Sequence, residues 1–260
     1  MKTSRLTFYQ ARSSPIHSLD PRTKVILTLL VIISNVLIPD GGFLALGSVW
    51  ALLLLVNQLS GIPPAYLFTR SAIVLPFTLA AFTTVFSTQG EVIFTLPWSE
   101  ITATDQGLIH FGTIVLRSWI SVQAAILLTA TTEFPDLIHA LRHLKIPDVL
   151  VAIVSFMYRY LFVLLEEVQR LITARTARSA RAEGSSAGLS PRLNLKISGS
   201  MVGQLFLRSV ERSERIYQAM LSRGYRGHLL TLNPHHMETR DWLTLLGTAA
   251  LILFIQLLAH

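Results

Sequence analysis

The chain has 260 residues, of which 51% are hydrophobic and 14% charged; water-soluble folds carry roughly 25% charge, so a membrane setting is the first expectation. Cysteine is absent, which excludes disulfides, zinc–thiolate sites, iron–sulfur clusters and thiol nucleophiles. The net charge of +7 and pI near 10.1 would suit nucleic acid, but the basic residues cluster between apolar runs, where the bias of Lys and Arg to the cytoplasmic side accounts for them.

The first 24 residues hold Lys2, Arg5, Arg12, Arg22 and Lys24. An apolar run follows without a small-residue cleavage site, and reads as a first span rather than a removed leader. Val25–Ile38 and Phe43–Leu59 flank Pro39-Asp40-Gly41-Gly42, a turn signal that makes the pair a hairpin of two short spans. Ser71–Thr88, interrupted by Pro76, is a third span, Gln106–Ala130 a fourth, and Trp242–Ala259 the last. Trp98 and Trp242 stand at span edges, where aromatic belts form.

Val149–Leu165 is apolar enough to count as a sixth span, but parity opposes it. The stretch from Val168 to Arg226 holds 11 of the 22 Lys and Arg residues, and exporting it would violate the charge bias. The expected fold is therefore an all-α integral membrane protein of about five spans, six being the alternative. Residues 1–131 form four spans, 132–240 a cytoplasmic or interfacial region, and 241–260 the closing span. The N-terminus is inside and the C-terminus outside.

Within the cytoplasmic region, Leu161, Leu164, Leu165, Val168, Leu171 and Ile172 recur at helical spacing. That helix runs to about Ala182. Glu183–Pro191 is a flexible connection, and a second helix covers Gly199 to Ser222. Gly224 closes it, as helix C-termini prefer. Phe206, Val210, Tyr217 and Leu221 share one side, and Arg208, Arg212 and Arg215 another. Each helix ends in an arginine beside small residues, Ala177-Arg178-Ser179 and Ser222-Arg223-Gly224. Arginine's planar fork suits acidic grooves, and small neighbours admit a close partner, so the region reads as a docking surface.

At these residues the chain resembles the transmembrane coupling component of energy-coupling factor (ECF) transporters, in the cobalt-transport subgroup CbiQ. Leu19-Asp20-Pro21-Arg22-Thr23-Lys24 resembles the motif ahead of the family's first span. Met157-Tyr158-Arg159-Tyr160-Leu161 with Glu166-Glu167 resembles the middle of the chain, and Arg212–Gly227 the second coupling helix. The family's two Ala-Arg-Gly motifs stand here as Ala177-Arg178-Ser179 and Ser222-Arg223-Gly224, each departing by one small residue; Ala180-Arg181-Ala182 is a competing register for the first. The resemblance implies a non-catalytic subunit. Its coupling helices bind two cytoplasmic ATPases like CbiO, and pass their motion to a substrate-binding membrane subunit like CbiM, with a small helper like CbiN, in a bacterial cytoplasmic membrane. Arg178 and Arg223 would enter the ATPases, with Ala177, Ser179, Ser222 and Gly224 permitting close approach. Asp20, Pro21, Arg22, Lys24 and Arg159 would serve structure or interfaces. Nickel, biotin or vitamin cargo is the near alternative to cobalt, and a self-contained secondary transporter the distant one.

Arg117 lies within a span, where a charge is costly; the alternatives are a pair with an acidic group in a partner subunit, a place lining an interface, an arginine that snorkels, or a span that starts later than drawn. His139 and His143 stand four apart but lack the glutamate of a zincin helix, and His235-His236-Met237 reads as a membrane-edge loop. Gly199 and Gly203, a G-x-x-x-G, lie outside the spans. No phosphate-binding G-x-x-x-x-G-K-[ST] loop occurs, so any ATPase is a partner. No metal site, cofactor or catalytic set is expected in this chain.

Overall fold

The structure, a computed structural model, describes residues 9–88, 91–95, 102–144, 146–178, 191–227 and 237–259. It divides into two compact units, Met1–His143 with Pro234–His260, and Leu144–Asn233.

In the first unit, α1 (Pro21–Leu37) starts where the sequence pins it. Asp20 is the N-cap and its Oδ1 accepts from Arg22 N–H at 2.8 Å, while Pro21 supplies a preset φ in the first turn. Extended backbone at Ile38 ends the helix ahead of Pro39. Gly41, with φ +84°, turns the chain into α2 (Phe43–Ser60), and α2 closes on Gly61 in the left-handed conformation. The third expected span begins earlier than Ser71 and is broken into α3 (Pro64–Ser71), a 3-10 turn at Ala72–Val74, α4 (Leu75–Ala81) and α5 (Thr84–Ser87). Pro76, in the first turn of α4, lacks the N–H that would continue the preceding helix. A small antiparallel pair, β1 (Val92–Thr95) and β2 (Thr102–Thr104), follows. Periodicity did not announce it, because two short strands carry too few residues to show a repeat.

α6 (Asp105–Thr131) is 27 residues long, about 40 Å at helical rise, and outreaches a hydrocarbon core of about 30 Å. Thr104 Oγ1 caps it by accepting from Gly107 N–H at 3.1 Å. Gly107 must be glycine because a Cβ there would lie 2.6 Å from Val85 O. α7 (Phe134–His143) packs on α1 and belongs to this unit, although its sequence sits among residues assigned to the cytoplasmic region. α10 (Thr239–Ala259) packs on α1 and α2.

The unit is apolar outside, and its interior combines an apolar core, with Leu46, Val49 and Ile120 fully buried, and several buried polar side chains. Leu44, Phe77, Leu79, Leu253 and Leu257 are exposed, while Asn35, Asn57 and Gln123 are buried. Leucine against lipid gains little by burial, so such bundles are held by packing and interhelical hydrogen bonds. Three ties do this. Asn35 Nδ2 on α1 donates to Ser121 Oγ and Arg117 O on α6, each at 2.9 Å. Trp50 Nε1 on α2 donates to Gln123 Oε1 at 3.0 Å. Gln256 Nε2 on α10 donates to Ser34 Oγ at 2.9 Å.

Five helical segments among the described residues are long and apolar enough to cross a membrane: α2, Pro64–Ser87, α6, α8 (Asp148–Arg178) and α10. The number matches the expected five, and the membership differs. α8 qualifies because its apolar first half and amphipathic second half form one helix, whereas α1 has only 17 residues.

The second unit pairs α8 with α9 (Pro191–Ser222), which begins two turns before the expected Gly199. Pro191 at its first position is preset for that start. Glu167 on α8 meets Arg208 on α9, and Arg175 meets Asn194 and Ser198. Numbers rise on one helix as they fall on the other, so the pair is antiparallel.

Candidate functional site

The ends of α8 and α9 bear the two arginine motifs. α8 carries Asp148 in its first turn and Arg175 and Arg178 in its last, each sign at the pole of the helix dipole that favours it. Arg178 and Ala177 are exposed; Ser179 and the competing Ala180-Arg181-Ala182 lie outside the described residues.

The second motif is a helix-ending device. Gly224 N–H donates to Leu221 O at 2.9 Å and Tyr225 N–H to Met220 O at 3.0 Å, with Gly224 at φ +84°. This is the Schellman arrangement, in which the left-handed residue is nearly always glycine. Gly224 therefore has a backbone task in addition to being small. It fixes where α9 stops and leaves Ser222 and Arg223 exposed at the tip.

Because the helices are antiparallel, Arg178 lies level with the first turn of α9 while Arg223 closes its last. The 32 residues of α9 span about 48 Å at helical rise and hold the two arginines nearly that far apart. Two grooves run between the helices. One of about 1090 Å3 is lined by Arg170, Arg178, Lys196 and Arg208 against Glu167, over an apolar floor that includes Leu171 and Ile197. The other, of about 610 Å3, is apolar, with Ile153, Phe156 and Tyr160 facing Ile216, Tyr217 and Met220. Of the expected stripe, Val210 and Tyr217 line this groove and Phe206 stays exposed.

Other expected residues fall elsewhere. Arg159 is exposed on α8. Asp20, Pro21, Arg22 and Lys24 form a knot in the first unit. Lys24 Nζ donates to His17 O at 3.0 Å and to Thr131 O at 3.2 Å, capping the C-terminal end of α6. Asp241 Oδ1 accepts from Asp20 N–H and its Oδ2 from Glu238 N–H, each at 2.9 Å, so one carboxylate serves the starts of both α1 and α10. Arg22 Nε lies 3.9 Å from Asp20 Oδ1.

Arg117 finds its acid within the chain. Its Nη2 lies 3.1 Å from Asp40 Oδ1 and also donates to Ile38 O, while His110 Nδ1 meets Asp40 Oδ2 at 2.8 Å. α6 overshoots the short α1–α2 hairpin, so a residue in mid-helix sits level with that hairpin's turn. Sequence reasoning missed Asp40 as the partner, as well as Arg175, Asn194 and Asp241. Asp40 in a Pro-Asp-Gly-Gly turn was the one visible signal.

His139 and His143 are adjacent on α7, with ring centroids 5.1 Å apart. Among the described residues no three His, Asp or Glu side chains stand at metal-binding spacing. His235 and His236 lie outside the described residues.

The sequence profile of the CbiQ family, described as cobalt transport protein, matches residues 12–233. The chain is similar to the energy-coupling factor transporter transmembrane protein EcfT of Heliobacterium modesticaldum, 28% identical over 99% of this chain and 98% of that one. EcfT of Acidaminococcus fermentans is 26% identical over 96% of this chain and 93% of its own. An uncharacterised protein of Methanocaldococcus jannaschii is 29% identical over 95% of this chain and 85% of its own.

Proposed function

The chain belongs to the CbiQ cobalt transport protein family, and from that premise we propose that it is the transmembrane coupling subunit of an ATP-driven ECF importer whose cargo is cobalt. The observation that carries this reading is the pair of exposed arginines, Arg178 and Arg223, at opposite ends of one antiparallel helix pair. Two separated docking points on a stiff element suit two ATPase subunits. When the ATPases close on ATP, each draws its arginine along, and the rods transmit the displacement to a substrate-binding membrane subunit. Arginine serves because its fork holds a carboxylate by two parallel hydrogen bonds. Ala177, Ser179 and Ser222 keep the approach clear, and Gly224 fixes the tip.

The chain is a non-catalytic subunit; hydrolysis belongs to CbiO-like ATPases, and cargo recognition to a CbiM-like subunit with a CbiN-like helper. The protein is multi-pass, with residues 1–131 and 241–260 as membrane regions of a bacterial cytoplasmic membrane. The N-terminus and residues 132–240 face the cytoplasm and the C-terminus faces out. On this reading α8 lies against the membrane despite its length, because the 11 Lys and Arg residues between Val168 and Arg226 oppose export.

The test is Arg178→Glu combined with Arg223→Glu. The double variant is expected to insert into membranes and to lose co-purification with the ATPases; ATPase binding at the original level would overturn the assignment. A reporter fused after Glu183 is expected to read as cytoplasmic.

A further inference from the structure

The two grooves of the second unit follow one stripe of α8. Phe156, Tyr160 and Leu164 on the apolar groove lead, at helical spacing, into Glu167, Leu171 and Ala174 on the basic one. Between Val149 and Leu165 the only charged residue is Arg159, and this half makes α8 long and apolar enough to cross a membrane. Whether that half crosses the bilayer or lies against it, the basic groove begins where it ends, at the boundary between membrane and water. Tyr160, Tyr217 and Tyr225 on the apolar wall suit that boundary, because rings with one polar end collect there.

The basic groove carries an unbalanced charge. Arg170, Arg178 and Lys196 have no acidic partner among the described residues. Glu167, the one acid on the wall, is taken by Arg208 at 2.5 Å. Arg175 is engaged by Asn194 and Ser198 and adds no free cation. Beneath these charges Leu171, Leu193, Ile197 and Met201 make an apolar floor. Cations over an apolar floor, continued along the same helix by an apolar groove, match an anionic amphiphile, with a phosphate for the arginines and a hydrocarbon chain for the groove. An acidic peptide would answer the cations and leave the apolar groove open. A zwitterionic lipid would fill that groove and leave the cations unanswered.

We propose that an anionic phospholipid of the bilayer occupies this site, its phosphate among Arg170, Lys196 and Arg208 and an acyl chain along Phe156, Tyr160 and Leu164. Arg178, at the far end of the groove, stays free for the ATPases. The inference rests on α8 meeting the membrane and not on the coupling role, so its test is separate from the loss of ATPase binding expected of Arg178→Glu with Arg223→Glu.

The probe is dioleoylphosphatidylglycerol, offered to the full chain in detergent beside dioleoylphosphatidylcholine and read by native mass spectrometry. The phosphatidylglycerol adduct is expected to outlast the phosphatidylcholine one. Arg170→Gln combined with Lys196→Gln, both at exposed positions, is expected to weaken that adduct roughly tenfold or more. Arg215→Gln combined with Arg226→Gln removes the same charge outside the groove and should leave the adduct unchanged. Glycerol 3-phosphate, the headgroup without its chains, should not displace the lipid. Equal retention of the two lipids, an equal effect of the two charge variants, or displacement by glycerol 3-phosphate would each overturn the proposal. In the assembled transporter, p-benzoylphenylalanine is placed at Gln204 on the groove wall, in vesicles of both lipids. A crosslink to lipid is expected; a crosslink to another polypeptide would overturn the proposal and give the groove to a protein partner.

Discussion

Arg175 on the last turns of α8 donates to Asn194 Oδ1 at 2.8 Å on the first turn of α9, and its other terminal nitrogen reaches Ser198 Oγ at 3.2 Å. This fork sets the register that puts Arg178 and Arg223 at opposite ends of the pair. Arg175→Ala removes both bonds at a half-buried site and is expected to weaken the local pairing by about 1–2 kcal/mol. Arg175→Lys should recover only part of this, because an ammonium is a point charge without a fork. Hydrogen exchange checks it: residues 191–198 should exchange faster in both variants, most in Arg175→Ala. Uptake should fall although Arg178 is untouched.

Gly224 sits at φ +84° with nothing within 4 Å of an added Cβ, so within this chain its identity answers to backbone conformation. Gly224→Ala is expected to cost about 1–2 kcal/mol at the α9 terminus, the penalty of a left-handed L-residue. Gly224→Asn should cost less, since asparagine tolerates that region. The helix tip would fray and Arg223 would lose its fixed direction. ATPase co-purification is expected to decline in the order wild type, Gly224→Asn, Gly224→Ala, with Arg223 present throughout.

Signals set by a few adjacent residues are legible in the sequence, and contacts between distant residues are not. Gly224 marks the end of α9, because left-handed turns are set by a few adjacent residues, whereas α1 starts at Asp20-Pro21, four residues ahead of the apolar run at Val25, because the cap and not the apolar run sets a helix start. The small-residue arginines that bear the proposed function are likewise a local pattern, Ala177-Arg178-Ser179 and Ser222-Arg223-Gly224, and their role is a proposal. The tie between Asp20 and Asp241 spans 221 positions, and a contact of that kind leaves no period in the sequence. Arg117 looked isolated because its acid, Asp40, is brought level only by the overshoot of α6 past a short hairpin. The apolar half and the amphipathic half of α8 suggest different environments, although one helix runs continuously through both. α9 starts two turns ahead of Gly199 because Pro191, which would break a helix interior, is preset for a first turn.

Asp40 answers Arg117 and His110 together. Its carboxylate is 44% exposed, so the pair is discounted for solvent screening, and Asp40→Ala is expected to cost about 1 kcal/mol. Arg117→Met removes the cation that would otherwise be left without its acid and should cost a similar amount. The two changes share one interaction, so the double variant is expected to fall short of the sum of the singles. Thermal unfolding of the four proteins in one detergent gives this coupling directly. Strict additivity would mean that the pair contributes nothing measurable.

His17 gives the segment ahead of α1 a dependence on pH. Its Nδ1 lies 2.7 Å from Ser14 Oγ and its Nε2 3.0 Å from Gln10 O. The neutral ring meets both by donating from Nε2 and accepting at Nδ1. Burial, opposed by the bond to Gln10 and reinforced by Lys24 and Arg12, holds its pKa below the ordinary value of 6.5. Below that value the unfolded segment takes up a proton before the folded one does. Stability is therefore full above pH 6.5 and is lost as the pH falls from there through the lowered pKa. Hydrogen exchange over residues 10–20 should be slow at pH 7.5 and, after correction for intrinsic rate, faster at pH 5. His17→Gln carries no titrating group and is expected to flatten that difference, while exchange in α9 stays the same in both proteins.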